Sequence, residues 1–310
     1  MDTMRERFVR VTTELLDEHS NLALVLADIG VSQFQGTIGF TETGAMKRFD
    51  GRVVNVGIRE QLLVSFAAGM ALEGFRPIVH TYAPFLVERP FEQFKLDFGH
   101  QGLGGIFVSV GASLDTAGLG RTHQAPEDIA LIGTLPGWEA HVPGHPDEVE
   151  VLLRRAAAGS GPVYIRLTTE SNAQAVDVDP GRMTRLRPGS PDAATVIAVG
   201  PMLDRVIAAT RDMDVNLLYA ATVRPFDRES LTETLAAPEV VIVEPYLEGT
   251  SAAEVSAALI DRPHRLLSLG LPRVEHRHYG SGAEHYTAHR LDESGIRERI
   301  GEFLRQSAAA

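Results

Sequence analysis

Cysteine is absent from all 310 residues, which excludes disulfides, thiolate nucleophiles and cysteine-ligated metals and fits a reducing compartment. Long apolar runs are absent as well. No stretch approaches the ~20 residues that a membrane span needs, and the N-terminus, MDTMRERFVRV, carries charge in place of a signal-peptide apolar core. A cytoplasmic protein with no membrane attachment is the expectation. Net positive charge is lacking too: the formal balance is −12, and without a concentrated basic surface a nucleic-acid partner is not expected. A local basic pocket for a small phosphate remains compatible with that balance. What is present is a 44% hydrophobic chain, long enough for two domains each with its own core.

Short β-branched or leucine-rich runs alternate with helical patterns along the whole length, which predicts an α/β fold of two domains, each a mostly parallel sheet flanked by helices. Predicted strands in the first half are 22–28, 52–56, 76–82, 105–110, 139–143 and 163–168, with helices at 3–18, 57–73, 126–134 and 146–158. PFLVERPFEQFKLDF has helical spacing that Pro90 should kink. From Ser171 the pattern dissolves into proline, glycine and polar residues, placing a first domain at 1–175, a linker at 176–192 and a second domain at 193–310. The second domain repeats the alternation, with strands at 195–200, 215–222, 239–245 and 265–270 and helices at 201–212, 228–237, 250–260 and 294–306.

In NVGIREQ, residues 55–61, a glutamate stands where a strand gives way to a helix. Ile58, Leu62, Phe66 and Met70, with Leu63, Ala67 and Ala71, describe a wide buried stripe. With Gly57 as N-cap, Glu60 falls at the third helical position, at the carboxyl end of a strand, where ligands of open α/β sheets bind. Taken alone, the peptide favours a capping-box glutamate.

The ordered set NVGIREQLLVSFAAGMALEG, PIVHTYAPFLVERPFEQF, GLGRTHQAPEDIALIGTLPGW and GPVYIRLT, continued by VNLLYAATVRPFD, VIVEPYLEG and LLSLGLP, resembles the transketolase family of thiamine-diphosphate enzymes over nearly the whole chain. The family's GDG…N signature, which holds Mg²⁺ and the cofactor's diphosphate, does not occur. The resemblance therefore implies the C-terminal subunit of a split transketolase, a pyrimidine-binding domain plus a C-terminal domain. Its N-terminal partner would supply the diphosphate and Mg²⁺ domain in an α2β2 assembly, with no metal held by this chain.

On that resemblance the cofactor is thiamine diphosphate, and Glu60 is the glutamate that hydrogen-bonds ring atom N1′ and favours the imino tautomer of the 4′-amino group. Phe85 matches the aromatic that stacks on the aminopyrimidine, with Tyr82 packing nearby; from the residues alone both are ordinary core aromatics. His123, in GRTHQ, matches the histidine facing the reacting carbons. Arg5, Ser32 and Arg166 match a substrate phosphate pocket, the planar guanidinium fork suiting a phosphate, while a strand-end salt bridge is an equal reading for Arg166.

Three positions depart from the family. Leu119 replaces an acidic residue that contacts a sugar hydroxyl, Gly111 replaces a phosphate-pocket histidine, and Arg121 replaces the proline of GPTHQ, where it could restore positive charge beside the substrate. The implied activity is transfer of a two-carbon ketol unit between sugar-like, phosphorylated substrates, with substrate choice shifted toward fewer hydroxyls. Rival readings are the β subunit of a 2-oxoacid dehydrogenase and a non-catalytic stabilising subunit. EHRHYGSGAEHYTAHR gathers His276, His278, His285 and His289, the last two at an i, i+4 spacing able to grip a metal; lacking HExxH, it reads as a solvated loop.

Overall fold

The computed structural model describes residues 2–38 and 51–308. The chain opens on a helix, Met4–Glu18, whose start is fixed by a capping box: Thr3 accepts from the Glu6 amide, and the Glu6 carboxylate accepts from the Thr3 amide. Its apolar stripe, Met4, Phe8, Val11 and Leu15, is buried against the first sheet.

That sheet has seven strands, β1 (Leu22–Leu26), β2 (Val53–Asn55), β3 (Arg76–Tyr82), β4 (Gly105–Val110), β5 (Glu139–His141), β6 (Pro162–Arg166) and, from far downstream, β10 (Thr222–Arg224), in the order β10-β5-β6-β4-β3-β1-β2. All its pairings are parallel except β10 with β5. The second sheet runs β12 (Arg265–Leu271), β11 (Glu239–Leu247), β8 (Ala194–Val199), β9 (Val215–Ala220), β7 (Thr184–Arg187), with only β7 antiparallel. Central strands such as β4 and β8 are buried along their full length, which is why they read as continuous apolar runs. One apolar layer containing Phe107 of β4, Trp138 just before β5, and Ile197 and Ile242 from the second sheet joins the two units.

Four features differ from the sequence reading. The stretch 176–192, expected to be a linker, contains β7, an edge strand of the second sheet too short to show a period. The NVGIREQ helix starts at Glu60, with Arg59 as N-cap and no side-chain cap, so Gly57 is not the cap and Glu60 occupies the first helical position. Its buried face is Leu63, Val64, Ala67 and Ala68, whereas Ile58, Leu62 and Phe66 are 70%, 43% and 38% exposed. Finally, Pro84–Glu88 and Phe94–His100 are π-helical turns on either side of Pro90, a widened geometry common at functional sites.

Glu244, on β11, is fully buried; its Oε1 accepts from the Ser251 amide and its Oε2 has no partner. Burial pushes its carboxyl up to about 7, against the opposing pull of the Ser251 and Tyr246 hydrogen bonds. A folded-state value above the ordinary 4.5 means the native state binds the proton more tightly, so this group's contribution is complete below about pH 4.5 and is lost as pH rises to about 7. Glu244→Gln removes that slope. In urea titrations the variant should gain on the wild type by up to ~3 kcal/mol between pH 4.5 and 8; a constant difference across that range would contradict the assignment.

Candidate active site

Three strand ends of the first sheet converge. β2 ends at Asn55, whose side chain ties the exit of β1 to the next turn: its Nδ2 donates to the Asp28 carboxylate at 2.8 Å, and its Oδ1 accepts from the Asp28 amide at 2.9 Å and the Gly57 amide at 3.1 Å. That clamp delivers Glu60 at the helix start, 4% exposed. β3 ends at Tyr82 and turns into the Pro84–Glu88 segment bearing Phe85, and β4 ends at Val110 before the loop that carries His123. Convergence at carboxyl ends is what this sheet type offers a ligand.

The converging groups touch. The Glu60 carboxylate accepts from Arg89 Nη1 at 3.0 Å, and the Arg89 guanidinium lies 3.8 Å above the Phe85 ring centre. Phe85 and Arg89 are four residues apart, so they share one helical face, while Gln61 Nε2 donates to the Arg89 carbonyl at 3.2 Å and holds that turn against the Glu60 helix. The His123 ring meets Phe85 at 5.0 Å and Tyr82 at 5.9 Å, both edge-on. His123 Nδ1 pairs with the Thr122 hydroxyl at 2.9 Å. Arg5 reaches the far side of Tyr82, 6.0 Å from its ring centre, and donates to Gln33 Oε1 at 3.1 Å. Burial lowers the Arg5 guanidinium from its ordinary value, opposed by the Tyr82 hydroxyl. Glu60, Phe85, Tyr82, His123 and Arg5 are thus brought together.

The remaining predicted residues are placed differently. Ser32 is exposed near the start of the Val31–Ile38 helix, beside the Arg5 partner Gln33. Arg166 is fully buried: its Nε donates to Asp128 at 2.8 Å, another nitrogen meets the Ser113 hydroxyl, and Tyr164 donates to the same Asp128 oxygen. The pairing with Asp128 is what an arginine that deep requires, and its buried Nη1 has no partner among the described residues. Arg121, expected to bring charge to the substrate, donates to Glu127 at 2.7 Å and the Gln124 carbonyl and lies 3.6 Å from Glu275, so its charge is compensated locally.

Arg89 is the site residue that sequence reading missed. Its signal is the four-residue offset from Phe85, hidden by Pro90 immediately after it. Gly111 acquires a physical meaning as well: its φ is +65°, and a Cβ there would lie 2.5 Å from the Tyr82 ring. The space a larger residue would use is filled by Tyr82. Gly111→Ala should therefore cost roughly 1–3 kcal/mol, from overpacking and a left-handed backbone, read as a lowered urea midpoint; an unchanged midpoint would refute the contact. Leu119 is 58% exposed and offers no acceptor to a sugar hydroxyl.

The His-rich segment is not a solvated loop. His276 and His285 are 4% and 2% exposed, and the rings of His276 and His289 meet at 5.2 Å. Burial lowers all three imidazoles from their usual range, with neighbouring positive groups adding to the effect.

The aminopyrimidine expected from the sequence requires an acceptor for a ring N–H and a flat apolar surface to stack on. Arg89, donating to Glu60 while its guanidinium lies over Phe85, marks an acceptor and an aromatic face side by side. A family model described as transketolase, pyrimidine binding domain, matches residues 2–174. An uncharacterized 33.6 kDa protein in the fasciation locus of Rhodococcoides fascians is 45% identical over 293 residues, 93% of this chain and 91% of that protein. A 1-deoxy-D-xylulose-5-phosphate synthase of Anaeromyxobacter sp. (strain K) is 33% identical over 73% of this chain, which spans 37% of the synthase. Among solved structures, a split gene transketolase described as an inactive beta4 tetramer matches with a TM-score of 0.81 at 26% identity, over 96% of this chain and 97% of that one. The chain belongs to the transketolase family of thiamine-diphosphate enzymes, carrying its pyrimidine-binding domain followed by a second mostly parallel α/β unit.

Proposed function

We propose that this chain is the pyrimidine-binding half of a two-component transketolase-type enzyme that transfers a two-carbon unit between small sugar-like substrates, and that it works with a partner holding the diphosphate and Mg²⁺. The observation that carries this reading is the buried Glu60 carboxylate paired with a planar cation stacked on Phe85. When bound, thiamine diphosphate supplies the carbon nucleophile and the electron sink.

The chain's own residues have separable tasks. Glu60 accepts a hydrogen bond from the pyrimidine ring, Phe85 fixes the plane of that ring, and Arg89 yields its place. His123, held by Thr122, is positioned to hold or move a proton on substrate. Arg5 contributes positive charge at the cleft it lines with Thr3, Glu6, Val9 and Gln33. No helix among the described residues is long and apolar enough to cross a membrane, compatible with a cytoplasmic setting.

Two observations support a partner. Leu62 and Phe66 lie exposed on the very helix that begins with Glu60, with Ile58 exposed just before it, and the split gene transketolase that this chain resembles is described as inactive in its beta4 form. An α2β2 assembly with a GDG…N chain follows as the proposed active form. The substrate is proposed to be poorer in hydroxyls than a ketose phosphate pair: Leu119 is apolar, and the related synthase is named for a 1-deoxy product. The test is to mix the chain with a GDG…N partner, thiamine diphosphate and Mg²⁺, and compare hydroxylated with deoxy two-carbon donors. Faster turnover of the deoxy donor is expected; no turnover of either would overturn the reading.

A further inference from the structure

Outside this site, three imidazoles from two separate segments converge. His276 lies after β12, and His285 and His289 lie one turn apart at the end of the Gly282–Ala288 helix; their donor nitrogens all lie within 4.8 Å of one another. Zinc bound by imidazole at 2.0–2.1 Å in a tetrahedron needs donors about 3.3 Å apart, so modest side-chain rotation closes the set. Two of the three imidazoles, His276 and His285, are buried. Their Nε2 atoms, buried, have no partner. An orphaned polar nitrogen in a protein interior is costly unless something pairs with it, and here two belong to residues of one cluster.

We propose that His276, His285 and His289 form a site for a divalent transition metal, and that the ion clips the 275–282 segment over the loop carrying His123. Three neutral nitrogen donors favour zinc, nickel or copper and are a poor match for Mg²⁺ or Ca²⁺, so this site is chemically distinct from the diphosphate's metal. Carboxylates lie nearby, Glu284 beside His278 and His285 and Glu275 beside His276, the latter paired with Arg121. The clipped segment already touches the loop. A Cβ on Gly120 would lie 2.7 Å from the Tyr279 ring, Gln124 Nε2 donates to the His278 carbonyl at 3.4 Å, and Arg121 pairs with Glu275. An ion here would suppress motion of that contact and thereby hold the backbone that positions His123.

The full-length chain, stripped with chelator and dialysed, is titrated with Zn²⁺ and, separately, with Co²⁺. One equivalent of zinc per chain surviving gel filtration in millimolar Mg²⁺, with Co²⁺ giving the visible absorption of a low-coordinate nitrogen site, is expected. His289→Ala should weaken binding by roughly 100-fold, at the upper end of what disturbing even a ligand's supporting partner produces, while His278→Ala should leave affinity unchanged. Because His289 is only half-buried, its variant should keep the wild-type circular dichroism, so loss of metal would not reflect unfolding. His285→Gln serves as a second variant with the same expected loss. Absence of stoichiometric binding by the wild type, or unchanged affinity in both His289→Ala and His285→Gln, would overturn the proposal. Neither thiamine diphosphate nor a partner enters the measurement, so its outcome is independent of the proposed transfer activity.

Discussion

Glu60→Gln is expected to lower kcat of the reconstituted two-chain enzyme by roughly a hundred- to ten-thousand-fold, the range a positioned acid or base supplies, while leaving the fold intact. Glutamine matches glutamate in size and can still accept a hydrogen bond from Arg89 through its carbonyl oxygen, so packing at the helix start survives. What it removes is the charge. A carboxylate that is 4% exposed and faced by a cation lying over an aromatic ring has an arrangement suited to a planar cationic heterocycle. A glutamate that merely served the helix would behave otherwise: no side-chain cap exists at this N-terminus, and the amide would then cost a few tenths of a kcal/mol from the helix dipole and nothing in turnover. The measurements are kcat with saturating cofactor, cofactor affinity by fluorescence quenching, and the thermal midpoint. Turnover equal to wild type would remove Glu60 from the chemistry.

The second large effect concerns stability. Asp128→Ala should destabilise the chain by about 3–5 kcal/mol, the penalty for leaving a buried charge without its counter-ion. Asp128 and Arg166 are both fully buried, and the carboxylate oxygen that takes the Arg166 bond also accepts from Tyr164 at 2.8 Å. Arg166 in turn lies within reach of the Pro245 carbonyl on β11 and 5.5 Å from the Tyr246 ring, so the network bridges the first sheet to the second. Removing the acid strands a guanidinium in an apolar interior and loosens that junction together. Replacing Asp128 and Arg166 jointly with apolar residues should recover more than half of the loss, because the stranded charge disappears with its partner. Urea denaturation at constant m-value reads both. A cost below about 1 kcal/mol for Asp128→Ala would mean the pair is more solvated than its burial implies.

Several strands could be placed from the sequence almost to the residue. β3 and β4 fall where RPIVHTY and GIFVSV put them, because strands buried on both faces are uninterrupted apolar runs bounded by glycine or charge. The Pro146–Ala158 helix likewise begins at its proline and ends before Gly159. The Val31–Ile38 and Gly282–Ala288 helices were invisible: each is seven or eight residues long, below the window in which a 3.6-residue period can be distinguished. β10 was missed for another reason, since a three-residue strand is defined by the edge it joins and not by its own composition.

The motif residues Glu60, Phe85, Tyr82 and His123 are legible in one dimension because they lie at strand ends or in the segments that follow them, and a parallel sheet sends every such end to the same side. Family register, carried in NVGIREQ and GRTHQAPEDIA, therefore pointed to the cofactor class of the family and to Glu60 as the proposed pyrimidine-facing acid. Only the tertiary structure decided which charges are occupied. Arg166 and Arg121 look alike in sequence, yet one is paired inside the core and the other is paired across the contact with residue 275. It also decided which side of the Glu60 helix faces water and that His276, His285 and His289 share one pocket. Those outcomes depend on distances between segments far apart in the chain, and a linear pattern records which residue is present without recording what has come to rest against it.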